Sequence, residues 1–145
     1  MNNREMARSY IRQALTRITT VERAIETHNY AYAIRQAQEA VELALKGILR
    51  LVGIEPPRWH DVGPILRRHR DRFPEWFRRN IDRYAAISRQ LRREREPSMY
   101  GDEEMGIPPE RLYSRYDAEL AYTYAREILE ACIRLYREAT GETID

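Results

Sequence analysis

The chain has 145 residues, of which 43% are hydrophobic and 33% are charged, and its formal net charge is +2. This length suits one domain, so we expect residues 1–145 to form a single folded unit around one core. The composition is too apolar for a disordered chain, and charged residues interrupt the apolar runs that a membrane span needs. Charge also interrupts the first residues, where a signal peptide has its apolar segment, and this pattern is typical of a cytoplasmic protein.

Hydrophobic residues recur at intervals of three and four along most of the chain, and this spacing predicts helices. Long helices are predicted at about residues 4–26, 29–52, 74–95 and 117–139, with a short helix at about 62–70. Gly53 and the pair Pro56-Pro57 should end the second helix. The pattern predicts an all-α fold, an antiparallel up-and-down bundle of four long helices plus a short helix. Prolines and glycines cluster at 96–112, which indicates a loop, either ordered or flexible.

The second predicted helix carries a stripe of small residues at helical spacing. They are Ala33, Ala37, Ala40, Ala44 and Gly47. Small side chains allow the backbone of another helix to approach closely, so we expect tight helix pairing along this stripe.

Arginine dominates the basic residues, since 24 of the 25 are arginine and Lys46 is the only lysine. Residues 67–95 hold eleven arginines against four acids, whereas residues 96–110 hold five acids and no basic residue. Guanidinium groups form two-pronged hydrogen bonds with phosphates and with carboxylates. The basic segment is therefore either a phosphate-binding face for RNA or a nucleotide, or a solvated helix face that pairs with the acidic segment or with a second copy.

Three stretches together resemble a known family. Residues 37–46 read Ala-Gln-x-Ala-x-Glu-x-Ala-x-Lys within an alanine-rich helix, and a proline turn with the pair His60-Asp61 follows it. Tyr100-Gly101-Asp102 then precedes a proline-rich loop, and residues 115–119 open the last helix. In order and spacing, from about residue 5 to 140, the chain resembles the HEPN domains (higher eukaryotes and prokaryotes nucleotide-binding domain).

The resemblance implies a helical bundle that forms a homodimer and acts beside a minimal nucleotidyltransferase in a two-component, toxin–antitoxin type of module. Catalytic HEPN members are metal-independent ribonucleases with an Arg-x(4–6)-His motif that is completed across the dimer. In this chain no histidine follows His69. Four residues separate Arg95 from Tyr100, so a tyrosine stands where the motif has its histidine. We therefore expect a nucleotide- or RNA-associated subunit that is non-catalytic or weakly catalytic. The alternative is a metal-independent ribonuclease toxin with a substituted proton-transfer residue.

The candidate site residues follow from this resemblance. The catalytic candidates are Arg93, Arg95, Tyr100 and Asp102, and the candidates for binding a nucleotide or RNA are Lys46, Arg50, His60, Arg89 and Arg92. In a structural alternative, Arg95 ties the carboxylates of the loop to the bundle. The resemblance also suggests that a tyrosine of this loop receives a nucleotidyl group from the partner enzyme.

Metal and cofactor sites are not expected. The chain has no Glu-x-x-His pair of the kind that binds two iron ions in helical bundles, and it has no P-loop or glycine-rich dinucleotide turn.

Overall fold

The computed structural model describes residues 3–58 and 61–144. Over these ranges the chain is helical, and its only extended pairing is an isolated bridge between Asp102 and Ile107. The helices are α1 (Asn3–Glu26), α2 (Tyr30–Leu51), α3 (Gly63–Arg68), α4 (Glu75–Arg78), α5 (Ile81–Arg93), α6 (Pro97–Tyr100) and α7 (Arg115–Thr140), with 3-10 turns at Arg70–Arg72 and Pro109–Arg111. The predicted all-α bundle is confirmed.

Helices α1, α2 and α7 pack against one another and form most of the core. All five members of the small-residue stripe of α2 are buried. At Gly47, an added Cβ would lie 3.2 Å from the carbonyl oxygen of Ala7 and 3.2 Å from the Cβ of Tyr10. The backbones of α1 and α2 therefore approach so closely here that only a glycine fits without displacement, as the stripe predicted.

A tight turn joins α1 to α2. The N–H of His28 donates to the carbonyl of Ile25 at 3.1 Å, and the N–H of Asn29 donates to the carbonyl of Ala24 at 2.7 Å. This hydrogen-bond pattern is a Schellman motif, whose left-handed position is usually a glycine. His28 occupies that position with a φ of +63°.

The helix predicted at about 74–95 is divided into α4 and α5. The side-chain amide of Asn80 donates to the carbonyl of Trp76 at 2.8 Å and so replaces the backbone partner of a continuous helix. The N–H of Asn80 instead donates to the carbonyl of Phe77 at 3.0 Å, which tightens the turn. Because Phe77 and Ile81 are both buried, the apolar spacing continues across the break and does not reveal it.

The segment predicted as a loop at 96–112 is folded. It contains α6, the 3-10 turn at Pro109–Arg111, and a reversal in which Asp102 and Ile107 exchange backbone hydrogen bonds of 2.8 and 2.9 Å. Ser114 then caps α7, since its hydroxyl accepts from the N–H of Asp117 while the Asp117 carboxylate accepts from the N–H of Ser114. This reciprocal capping box starts α7 at Arg115, two residues before the predicted position.

None of the helices in the described ranges combines the length and the hydrophobicity that a bilayer crossing requires.

Candidate functional site

The end of α5 and the following helix α6 form a groove rich in arginine. Only three residues separate the end of α5 at Arg93 from the start of α6 at Pro97, so the two helices bring a basic and an aromatic surface together. The groove, called the arginine groove below, has a volume of about 680 Å³. It is lined by Arg35, Arg92, Arg93, Arg95, Glu96, Pro97, Met99 and Tyr100.

Two of these arginines hold the wall of the groove together. Arg92 donates to the carboxylate of Glu42 at 2.6 Å, and this pair connects α5 to α2. Arg35 bonds the carboxylate of Glu39 at 3.1 Å and donates to the carbonyl of Arg95 at 2.7 Å. Both guanidiniums are therefore engaged in positioning the end of α5 on α2.

The other two arginines of the groove face solvent. Arg93 and Arg95 are exposed, and neither forms an ion pair with the residues that the structure describes. Arg89 is also exposed on α5, one helical turn before Arg93. Guanidinium groups at a helix C-terminus favour the local helix dipole and can also bind an anion. The predicted residues Arg89, Arg93 and Arg95 thus supply positive charge at the surface, and the latter two line the groove.

Tyr100 and Asp102 are separated by the fold although they are close in sequence. Tyr100 lines the arginine groove with 59% of its surface exposed. The Asp102 carboxylate lies outside that lining and accepts from the N–H of Met105 at 3.0 Å, within the turn. Gly101 reverses the chain between them with φ +75° and ψ −159°, and a Cβ there would clash with the Ile107 carbonyl oxygen.

Lys46 and Arg50 do not line the groove. Lys46 donates to the carbonyl of Arg58 at 3.4 Å, and the guanidinium of Arg50 lies over the ring of Tyr10 at 5.6 Å. Since Lys46 is eleven residues after Arg35 on α2, the helical rise places it about 16 Å farther along the helix. His60 lies outside the described residues.

A second groove, which the sequence did not predict, adjoins the first. It has a volume of about 330 Å³ and is called the aromatic groove below. Its lining includes His28, Tyr30, Tyr32, Arg35, Glu39, Ser98, Met99 and Glu110. Arg35 and Met99 line both grooves, so the two lie side by side. One feature of the sequence could have pointed to this groove. His28 stands in the turn between two long helices, at a position that favours glycine.

A second polar contact anchors the connection between α5 and α7, in addition to the one that Arg35 makes with the Arg95 carbonyl. The hydroxyl of Tyr113 donates to the carboxylate of Glu94 at 2.6 Å. Burial and the neighbouring Glu94 carboxylate raise the pKa of Tyr113 well above its ordinary value, so its phenol stays protonated and remains a donor.

The arrangement supplies phosphate-binding groups, and no imidazole is among the described residues that line the arginine groove. Proton transfer in RNA cleavage works best with a group that titrates near neutral pH, whereas an ordinary phenol has a pKa of about 10. Across residues 3–58 and 61–144, no three metal-ligating side chains cluster together.

The fold and the groove define the class of protein. It is an all-helical bundle with a positively charged groove at the end of α5. The chain matches the HEPN domain over residues 7–136, and it therefore belongs to the HEPN domain family. Its fold is similar to the crystal structure of TT1696 from Thermus thermophilus, with a TM-score of 0.69 and 26% sequence identity. That match covers 92% of this chain and 97% of the other. No curated protein matches the sequence.

Proposed function

We propose that the chain is the HEPN subunit of a two-component, toxin–antitoxin type of module and acts with a minimal nucleotidyltransferase. In this proposal the subunit binds a nucleotide or RNA and has little or no catalytic activity of its own. The observation that carries the proposal is a groove in which the exposed Arg93, Arg95 and Tyr100 meet, with no histidine among the described residues that line it. Phosphate binding needs only the guanidiniums, whereas cleavage also needs an efficient proton-transfer group.

The subunit's own activity is tested with labelled single-stranded RNA and the purified protein. We expect little or no cleavage. The matched variant is Arg95→Ala, which removes an exposed guanidinium from the groove and leaves the Arg95 carbonyl that accepts from Arg35. Cleavage that persists with a metal chelator and disappears in Arg95→Ala would contradict the proposal and favour the second candidate.

That second candidate is a metal-independent ribonuclease toxin that uses Arg93 or Arg95 with a substituted proton-transfer residue. It is supported by the position of Tyr100, whose exposed phenol lines the same groove as the arginines. A catalytic phenol predicts that Tyr100→Phe abolishes cleavage and leaves RNA affinity nearly unchanged.

The partnership gives Tyr100 a further role as acceptor of a nucleotidyl group. In this step the phenol oxygen attacks the α-phosphorus of a nucleoside triphosphate, the bond to the β-phosphate breaks, and pyrophosphate leaves. The phenol proton passes to a base of the partner enzyme or to water. The exposure of Tyr100 and the guanidiniums of Arg93 and Arg95 in the same groove support this assignment, because they offer access and balance the triphosphate charge.

The modification is tested by incubating the chain with ATP and a minimal nucleotidyltransferase from the same organism, followed by intact-mass measurement. We expect the mass to increase by one nucleoside monophosphate, and Tyr100→Phe to prevent the increase. Tyr116→Phe is the matched control, because Tyr116 is 73% exposed and lines neither groove. Modification that persists in Tyr100→Phe would reject the assignment.

We also propose that the chain is a homodimer, as HEPN domains commonly are. The acidic segment at 96–110 and the exposed arginines at the end of α5 lie side by side, so a two-fold contact could pair the opposite charges of two copies. Light scattering should give about twice the chain mass of 17.3 kDa. The chain mass itself at micromolar concentration would count against a dimer.

A further inference from the structure

We propose that the aromatic groove is a nucleobase-binding subsite for a single-stranded nucleic acid whose phosphates lie along the arginine groove. The inference rests on the proposed function in one respect, since it uses the arginine groove as the phosphate site. It adds a second site, formed by His28, Tyr30 and Tyr32, and it identifies the ligand as a polymer rather than a free nucleotide.

The aromatic groove presents ring surfaces suited to stacking. The rings of His28 and Tyr30 have centroids 5.9 Å apart and are nearly parallel, with an interplanar angle of 20°. Tyr32 exposes 51% of its surface in the same groove. Exposed aromatic rings beside guanidinium groups are typical of surfaces that bind single strands, because bases stack on the rings and phosphates bind the cations.

The backbone of His28 supports a role for its side chain. Among the non-glycine residues of the described ranges, only His28 has a positive φ. Glycine adopts this conformation at the least cost, so the turn alone would favour glycine. A histidine at this position places its ring along the groove, which supports a role for the ring in binding.

The charges in the two grooves define which part of the ligand each one accepts. In the aromatic groove, Glu39 is paired with Arg17 and Arg35, whereas Glu110 is exposed and forms no ion pair with the described residues. A free carboxylate repels a phosphate but accepts N–H groups from the edge of a base. The base therefore belongs in the aromatic groove, and the phosphates belong beside Arg93 and Arg95.

The adjacency of the grooves makes one strand a suitable ligand for both. Arg35 and Met99 line the two grooves, so the grooves adjoin at these two side chains. Met99 is 46% exposed and offers a flexible apolar surface where a ribose would cross.

The test is the fluorescence anisotropy of labelled single-stranded RNA and DNA oligonucleotides titrated with the full chain at several salt concentrations. His28→Gly removes the ring and places the favoured residue in the turn, so this variant stays folded. We expect His28→Gly combined with Tyr32→Ala to weaken binding roughly tenfold with an unchanged salt dependence. Arg93→Ala should weaken binding and lower the salt slope by about one. Tyr116→Ala is the control and should bind as the unmodified chain does.

The outcomes separate the two proposals. If Arg93→Ala weakens binding while the aromatic double variant does not, the base subsite is rejected and the arginine groove remains a phosphate site. If only the double variant weakens binding, the subsite stands and the phosphate role of the arginine groove is rejected. If the unmodified chain binds no oligonucleotide at low salt, the base subsite is rejected. The proposed partnership with a nucleotidyltransferase is tested separately, by the nucleotidyl-transfer assay.

Two further results would overturn the subsite. Tyr32→Ala that converts a dimer into a monomer would show that this groove is an interface between copies. RNA cleavage that is lost in His28→Gly would make His28 a proton-transfer residue instead of a stacking platform. A preference for RNA over DNA would indicate contact with the 2′-hydroxyl, and equal affinity would indicate recognition of bases and phosphates alone; either result supports the subsite.

Discussion

Two regions of the molecule are held together in different ways. One is the contact of α1, α2 and α7, and the other is the connecting segment from Glu94 to Ser114. In the helical contact, small and apolar side chains are buried along the whole length of α2. In the connecting segment, Met99, Tyr100 and Met105 are exposed although they are large and hydrophobic. The segment keeps its shape through a few contacts, chiefly those of Gly101, Asp102 and Tyr113.

The comparison shows where stability and function lie in this chain. The energy of the helical contact is distributed over many buried side chains, so damage there should affect the whole fold. The connecting segment depends on single contacts and exposes the groups that could meet a ligand, so damage there should remain local. Substitutions in each region test this division.

The largest effect is expected at the contact of α1 with α2. Gly47→Leu places a side chain where even a Cβ would lie 3.2 Å from Ala7 and Tyr10, so the helices must separate. We expect the free energy of unfolding to fall by about 3 kcal/mol, measured by urea denaturation. Ala86→Leu, on the exposed face of α5, is the control and should have little effect. Equal stability of the two variants would show that the contact is not tight.

A smaller and local effect is expected at Gly101. Gly101→Ala combines a backbone conformation that is almost restricted to glycine with a clash against the Ile107 carbonyl, and should cost about 2 kcal/mol. Gly106→Ala is a matched control, since its φ is +69° but no atom lies within 4 Å of an added Cβ, and about 1 kcal/mol is expected. Limited proteolysis should cut Gly101→Ala within the connecting segment while the bundle stays folded. Equal cleavage of both variants would contradict the proposed role of the clash.

The smallest effect is expected at the anchor of the connecting segment. Tyr113→Phe removes the hydrogen bond to Glu94 and should cost about 1 kcal/mol. Because burial and Glu94 raise the pKa of Tyr113, its contribution is complete below about pH 10 and is lost at higher pH, where the unfolded phenol ionises. The stability difference between the two proteins, measured by urea denaturation, should therefore narrow above about pH 10. Tyr116→Phe, at an exposed tyrosine, is the control for the loss of a hydroxyl and should leave the free energy of unfolding at neutral pH nearly unchanged.

The candidate site was predictable only where its residues are neighbours in sequence. Arg93, Arg95 and Tyr100 were named from the motif region, and the structure places all three on one groove. Arg35 lies 60 residues away from Arg95 along the chain, and no local pattern could show that its guanidinium binds the Arg95 carbonyl. Asp102, two residues after Tyr100, is directed away because Gly101 reverses the backbone.

The sequence by itself determined that the chain is helical, because an apolar spacing of three and four residues is a local pattern that can be recognised within each segment. It also determined the close pairing of α2, since the stripe of alanines and Gly47 can be read directly from the residues. The break at Asn80 follows from a local hydrogen bond that the apolar spacing does not reveal, whereas only the tertiary structure decided the shared Arg35 and the aromatic groove around His28. These features depend on side chains that meet across distant parts of the chain, or on one hydrogen bond that competes with a continuous helical pattern.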